Sequence, residues 1–266
     1  LTEALKNAQI KDVRILAGGT DFYPSHGDGL PDFPILDISR VADFGRISRT
    51  DWGWRLGALT CWSDVAQATL PAAFDGLKAA AREVGSVQIQ NVATVAGNLC
   101  NASPAADGVP ALLTLDAEVE LVSHKGVRRL PLEQFLLGVR KTALAEGEIL
   151  AAVHVPDAQG ALGGFSKLGS RTYLVISIAM VAVLVAVEDG AIVWARVAVG
   201  ACSPVAQRLY DLEVELTGCR DVRDVVRPDH LECLAPIDDV RGSAAYRLDV
   251  VVPLIERAIS TLLEGV

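Results

Sequence analysis

Two glycine-bearing runs have the residue types to do chemistry. The first reads Leu16-Ala17-Gly18-Gly19-Thr20-Asp21-Phe22. The second reads Thr94-Val95-Ala96-Gly97-Asn98-Leu99 and continues through Cys100-Asn101-Ala102-Ser103-Pro104 to Ala105-Ala106-Asp107. Each follows an apolar stretch and puts small residues where the backbone must turn sharply. Glycine lets successive N–H groups point into one concavity, and such nests bind phosphate oxygens. Thr20, Thr94 and Asn98 add side-chain donors without bulk. Two such loops could grip a pyrophosphate from both sides with no lysine.

The cluster Asn98, Asn101, Ser103 and Asp107 lies in an otherwise apolar segment. Buried polar groups need partners, and a polyhydroxylated ligand would supply them. Ordinary strand-to-helix turns use the same residues, with Thr20 or Asp21 as an N-cap. Asp107 is equally placed to cap a helix that opens at Pro110.

Other chemistries lack their residues. No P-loop, G-x-G-x-x-G, G-x-S-x-G or H-E-x-x-H pattern occurs. His26, His124, His154 and His230 are isolated from one another in sequence. The five cysteines (Cys61, Cys100, Cys202, Cys219 and Cys233) form no C-x-x-C pair. This odd, scattered set argues against a disulfide scaffold or an iron–sulfur or zinc site on this chain, and for a reducing compartment. A net charge of −9 without a Lys/Arg cluster argues against nucleic acid and anionic membranes as partners. The hydrophobic fraction of 51% argues against disorder. A cytoplasmic protein is expected. The N-terminus, Leu1-Thr2-Glu3-Ala4, carries neither Met nor a signal pattern and reads as the interior of a longer chain.

The elements that must position the two runs divide into three zones. An amphipathic start leads to strands at 13–16 and 35–38. Strands at 46–50 and 54–59 then flank Asp51-Trp52-Gly53, and helices follow at 63–68, capped by Thr60 or Ser63, and at 72–84. A Gly/Asn-rich segment fills 85–108 before a helix at 110–115, which has Pro at its start. Strands at 117–123 and 127–130 pair around His124-Lys125-Gly126, and 149–155 closes the zone. Pro156-Asp157-Ala158-Gln159-Gly160 with Gly163-Gly164 reads as a linker, so a boundary falls near residue 160. Beyond it, strands at 174–187 and 191–202 join through Glu188-Asp189-Gly190. The run from Leu174 to Val187 is too short to span a bilayer. An apolar-periodic helix at 249–263 ends the chain.

The combination resembles the flavin-binding, or medium, subunit of the xanthine dehydrogenase and carbon monoxide dehydrogenase family of molybdenum hydroxylases. The two glycine runs carry the likeness. Lys141-Thr142-Ala143-Leu144, Glu148-Ile149-Leu150, Phe165-Ser166-Lys167-Leu168 and the stretch Asp239-Val240-Arg241-Gly242-Ser243-Ala244-Ala245-Tyr246-Arg247 follow in the family's order.

The resemblance implies an α+β chain. A two-subdomain FAD-binding fold of the vanillyl-alcohol oxidase type would occupy 1–158, split at about 52. A small α+β C-terminal domain would occupy 162–266. It implies that Leu16, Ala17, Gly18, Gly19, Thr20, Asp21, Phe22 and Tyr23, with Thr94, Val95, Ala96, Gly97 and Asn98, wrap the FAD pyrophosphate. Asp107 would meet the ribityl region. Leu150 and Lys167 would meet the isoalloxazine ring, with Lys167 stabilising the reduced, anionic flavin. Val84 falls at a further contact position, and Tyr173 falls on a loop where it would gate the electron acceptor. Read without the family, Lys167 is a solvated strand lysine, Leu150 a core leucine and Tyr173 an edge aromatic. Asp238, Asp239 and Arg241 read as an ion-paired turn or a subunit contact.

Two departures stand out. Ala96 replaces a glycine common among relatives, which is compatible with binding only at negative φ. Residues 135–149 hold no Cys and leave no room for the cluster-bearing insertion that some relatives carry. The implied function is electron transfer. A molybdopterin-containing large subunit and a [2Fe–2S] small subunit would feed FAD here, in a dimer of heterotrimers, and NAD, oxygen or a quinone would accept the electrons. The chain itself would contribute no catalytic acid–base residue and no metal ligand. The alternatives are a standalone flavin-dependent oxidoreductase of the same fold and a scaffold that has lost the cofactor.

Overall fold

A computed structural model describes residues 1–27, 29 and 31–265; Val266, the expected end of the second domain, lies outside them. Near the N-terminus, Arg14–Leu16 and Ile35–Asp37 form a two-stranded parallel pair. The first glycine run leaves the end of Arg14–Leu16 directly.

A five-stranded antiparallel sheet follows, in the order Ile47–Arg49, Gly53–Gly57, Ile149–Pro156, Glu118–Ser123 and Gly126–Pro131. Its central strand Ile149–Pro156 is buried from Ile149 through Val155. A strand covered on both faces needs no polar alternation, which is why it reads as an apolar run broken only by His154. Helices Trp62–Gln67, Asp75–Glu83, Val95–Asn101 and Gly108–Thr114 are interleaved with this sheet.

The C-terminal part is a four-stranded antiparallel sheet of Ala161–Leu168, Ala179–Glu188, Ala191–Gly200 and Gln207–Arg208. The long helix Ala244–Leu263 packs on it. Strand Ala179–Glu188 serves two cores at once. Ala182 and Leu184 join the apolar cluster of the first domain, whereas Val181, Val183 and Val185 join the cluster under the long helix. The period of two along a strand makes this division possible.

Several expected boundaries move, each for a physical reason. Gly163 and Gly164 lie inside strand Ala161–Leu168, not in a linker. A Cβ on Gly163 would sit 2.4 Å from the Ala73 carbonyl oxygen, so glycine here permits close approach of another backbone. The expected strand at 174–187 begins only at Ala179. Ahead of it Leu174 has φ +53, and the Arg171 guanidinium donates to the Tyr173 and Leu174 carbonyls, holding the segment irregular. The helix expected at 63–68 is capped by Cys61, neither Thr60 nor Ser63: the Cys61 N–H donates to Asp64 Oδ2 at 2.8 Å. The last helix starts at Ala244 because Ser243 Oγ accepts the Tyr246 N–H at 3.1 Å. Asp239 pairs with both Arg241 and Arg247, at 2.8 and 2.7 Å, in the turn before it.

Candidate functional site

Both glycine runs face one cavity of about 880 Å³. Leu16 through Phe22 line it from one side, and Thr94, Ala96, Gly97 and Asn98 from the other. Leu150, near the start of the central strand, contributes to its wall. Tyr23 and Val95 do not line it. The Tyr23 ring lies beside Gly19 and is mostly exposed, while Val95 is buried in the core.

The runs meet because the first crosses the backbone just ahead of the second. A Cβ on Gly18 would lie 1.9 Å from the Val92 carbonyl oxygen, so only glycine fits there. Gly19 takes φ +74, which L side chains rarely adopt. Among the described residues, the amides of Gly18, Gly19 and Thr20 donate no backbone hydrogen bond. Asp21 stands at the N-cap position of helix Phe22–His26 but makes no capping bond.

The second run is built differently. Thr94 Oγ1 accepts the Gly97 N–H at 2.9 Å, and the Thr94 carbonyl accepts the Asn98 N–H at 3.0 Å. Fewer amides are therefore free here than in the first run. Because Thr94 Oγ1 acts as acceptor, its own hydrogen is available to a ligand oxygen. Ala96 sits in the first turn of helix Val95–Asn101 and is not among the positive-φ residues, so its methyl group brings no strain. Asn98 Oδ1 is buried and has no hydrogen-bond partner among the described residues. An unsatisfied buried acceptor costs its desolvation and points to a donor supplied from outside the chain.

A second cavity, of about 460 Å³, adjoins the first and shares Asp21, Val84, Ile89, Asn98, Asn101 and Arg140 with it. Leu174, Val175 and Ile176 add an apolar wall, and Asp107 lies at its edge. Asp107 occupies the N-cap position of helix Gly108–Thr114, yet caps nothing. Its Oδ1 accepts from Ser177 Oγ at 2.7 Å and its Oδ2 from Lys167 Nζ at 2.8 Å. Burial pushes the Asp107 carboxyl up from the usual range, against the opposing effects of Lys167 and Ser177.

Lys167 is not a solvated lysine. Its side chain is 7% exposed, its Nζ also donates to the Glu83 carbonyl at 3.3 Å, and it borders a separate cavity with Arg171 and Thr172. The structure thus joins two residues to which the sequence reading gave separate roles. Tyr173 is 72% exposed on the irregular segment nearby.

Arg140 and its clamp were missed by the sequence reading. Arg140 has φ +56, its N–H donates to the Ala102 carbonyl at 2.9 Å, and its guanidinium donates to Asn101 Oδ1. No periodicity marks it. Only the fold carries it to the cavities.

Among the described residues, no group of three or more His, Cys, Asp or Glu could hold a metal ion, and no helix is long and apolar enough to cross a membrane.

The fold and the paired glycine loops define a two-domain nucleotide-cofactor protein. Residues 1–158 match the family model described as the FAD binding domain in molybdopterin dehydrogenase, and residues 165–262 match the CO dehydrogenase flavoprotein C-terminal domain. The chain is 30% identical over 261 residues to the putative xanthine dehydrogenase FAD-binding subunit of Escherichia coli K12, covering 93% of this chain and 87% of that one. It is 31% identical over 270 residues to the nicotinate dehydrogenase FAD-subunit of Eubacterium barkeri, covering 96% and 90%. Among solved structures, carbon monoxide dehydrogenase from Hydrogenophaga pseudoflava superposes with a TM-score of 0.89 at 25% identity, covering 97% of this chain and 92% of that one. Quinoline 2-oxidoreductase from Pseudomonas putida 86 shares the fold, with a TM-score of 0.87 at 24% identity, covering 100% and 94%. The chain belongs to the FAD-binding subunit family of the molybdenum hydroxylases, which are oxidoreductases, and its cofactor is FAD.

The residues present fit that cofactor. Free amides and a threonine hydroxyl suit a diphosphate, and the unpaired Asn98 Oδ1 suits a sugar or ribityl hydroxyl.

Proposed function

We propose that this chain is the flavoprotein subunit of a molybdenum hydroxylase, holding FAD between the [2Fe–2S] centres of a small partner subunit and an external electron acceptor. A molybdopterin-containing large subunit would hydroxylate the substrate. The assembly would be a dimer of heterotrimers in the cytoplasm, with NAD, oxygen or a quinone as acceptor. FAD supplies the exchange of electrons between one- and two-electron partners. The chain's own residues bind it, orient it and restrict water around it.

In this reading residues 1–158 carry the cofactor, in subdomains meeting near residue 52, and 162–266 form the C-terminal domain, whose residues 174–176 add to the wall of the second cavity. Gly18, Gly19, Thr20 and the Thr94 hydroxyl hold the diphosphate, with Leu16, Ala17, Asp21, Phe22, Ala96 and Gly97 shaping its cradle. Leu150 and Val84 supply apolar wall. Asp107, locked by Lys167 and Ser177, faces the polar chain between diphosphate and ring. Lys167 acts through Asp107, because its ammonium is already engaged there. Tyr23 and Val95 support the loops from outside the cavity.

The observation that carries this reading is the convergence of both glycine runs on one cavity beside the unpaired Asn98 Oδ1. Purified protein should take up one FAD, and Gly97→Val should abolish uptake with its circular dichroism unchanged. Folded wild type that binds no flavin would contradict the reading. Substrate hydroxylation by this chain alone would instead favour a standalone oxidoreductase.

A further inference from the structure

Reduction of a flavin adds negative charge to its ring system, so a cation beside the ring favours the reduced form. Lys167 is poorly placed to be that cation. Its ammonium is paired with the Asp107 carboxylate at 2.8 Å, and it lines neither of the two adjoining cavities.

The second cavity has the walls that a flat apolar ring requires. Val84 and Ile89 come from the first domain, and Leu174, Val175 and Ile176 from the second. It opens from the cradle formed by the glycine runs, through a shared boundary that includes Asn98, Asn101 and Arg140. Among the described residues, Arg140 is the only Lys, Arg or His that lines it. The guanidinium donates to Asn101 Oδ1, and the Arg140 N–H to the Ala102 carbonyl. A guanidinium carries five N–H donors, and among the described residues that of Arg140 donates only to Asn101. The remaining donors are available to a ring-edge oxygen or nitrogen.

The geometry points to Arg140, clamped by Asn101, as the cofactor-positioning group whose charge makes the site bind reduced FAD more tightly than oxidised FAD. This rests on FAD occupying the two cavities, and it transfers to Arg140 the electrostatic role that the family resemblance suggested for Lys167.

The test measures dissociation constants of the full chain for oxidised and for reduced FAD, in wild type, Arg140→Gln and Arg140→Lys. Glutamine keeps an unbranched side chain on the same left-handed backbone, so the cost of φ is unchanged. Arg140→Gln should weaken reduced FAD about 10-fold more than oxidised FAD, which lowers the bound two-electron potential by about 30 mV. Arg140→Lys should retain most of the preference. Equal weakening of both forms overturns the inference, because a diphosphate is ionised in either redox state. No change in either form also overturns it. If Arg140→Gln does not fold, the Arg140→Lys and Asn101→Ala proteins carry the same comparison, and an unaltered ratio in Asn101→Ala contradicts the clamp. Failure of wild type to bind any FAD would be a failure of the functional reading, and is seen separately.

Discussion

Lys167 Nζ lies 2.8 Å from Asp107 Oδ2, and this buried pair ties the FAD-binding domain to the C-terminal domain beside the second cavity. Neither side chain is more than 10% exposed. Removing one partner of such a pair leaves a buried charge unmatched, which costs about 3–5 kcal/mol. Lys167→Met should therefore destabilise strongly at neutral pH, as read by chemical denaturation. The loss should shrink as pH falls, because burial already raises the Asp107 carboxyl and its protonated form needs no counter-charge. Adding Asp107→Asn to Lys167→Met should recover much of the stability.

Thr94 caps the helix of the second glycine run through its hydroxyl. Thr94→Val should lose about 1 kcal/mol of stability with that cap and should weaken FAD binding, because it removes both the Gly97 support and a ligand donor. Thr94→Ser should preserve both properties. Melting temperature and FAD titration on the same samples separate the two effects.

The glycine runs were legible in the sequence because tandem small and polar residues have few structural uses. Ile149–Pro156 was legible because a doubly covered strand stays apolar, here apart from His154, whose ring is paired with Glu120. The Lys167–Asp107 contact was not, since nothing in a linear pattern reports that residues 60 positions apart lie within hydrogen-bond distance. Arg140 was invisible for a related reason: its placement depends on left-handed backbone at both Arg140 and Ala102. Gly163-Gly164 misled because glycine signals a turn as readily as a close packing of backbones.

That packing makes its own prediction. Gly163→Ala would place a methyl group 2.4 Å from the Ala73 carbonyl oxygen, at the contact between the second sheet and the first domain. Backbone must shift, at a cost of about 1–3 kcal/mol. Denaturation should show the loss, while the FAD affinity of the folded protein should change little, because neither residue lines the flavin cavities.

Glu120 is one of the carboxylates that shape the acid limb of stability. Its carboxylate accepts from His154 Nε2 at 2.9 Å and lies near Arg129 and Arg55, and the His154 bond leads in holding it down to about 2 from 4.5. A depressed folded-state value means that its contribution is complete above pH 4.5 and is lost as pH falls through about 2. Glu120→Gln should lower stability at neutral pH and flatten the dependence between those limits. An unchanged acid profile would assign that limb to other carboxylates.

The central claim is that the two glycine runs hold FAD in the cavity they share. Amide hydrogen exchange of the full chain, with and without FAD, tests it most directly. Slowed exchange should appear at Gly18, Gly19, Thr20 and Ala96, with protection extending to the segment around Arg140. Tight FAD binding with no protection at either glycine run would contradict it.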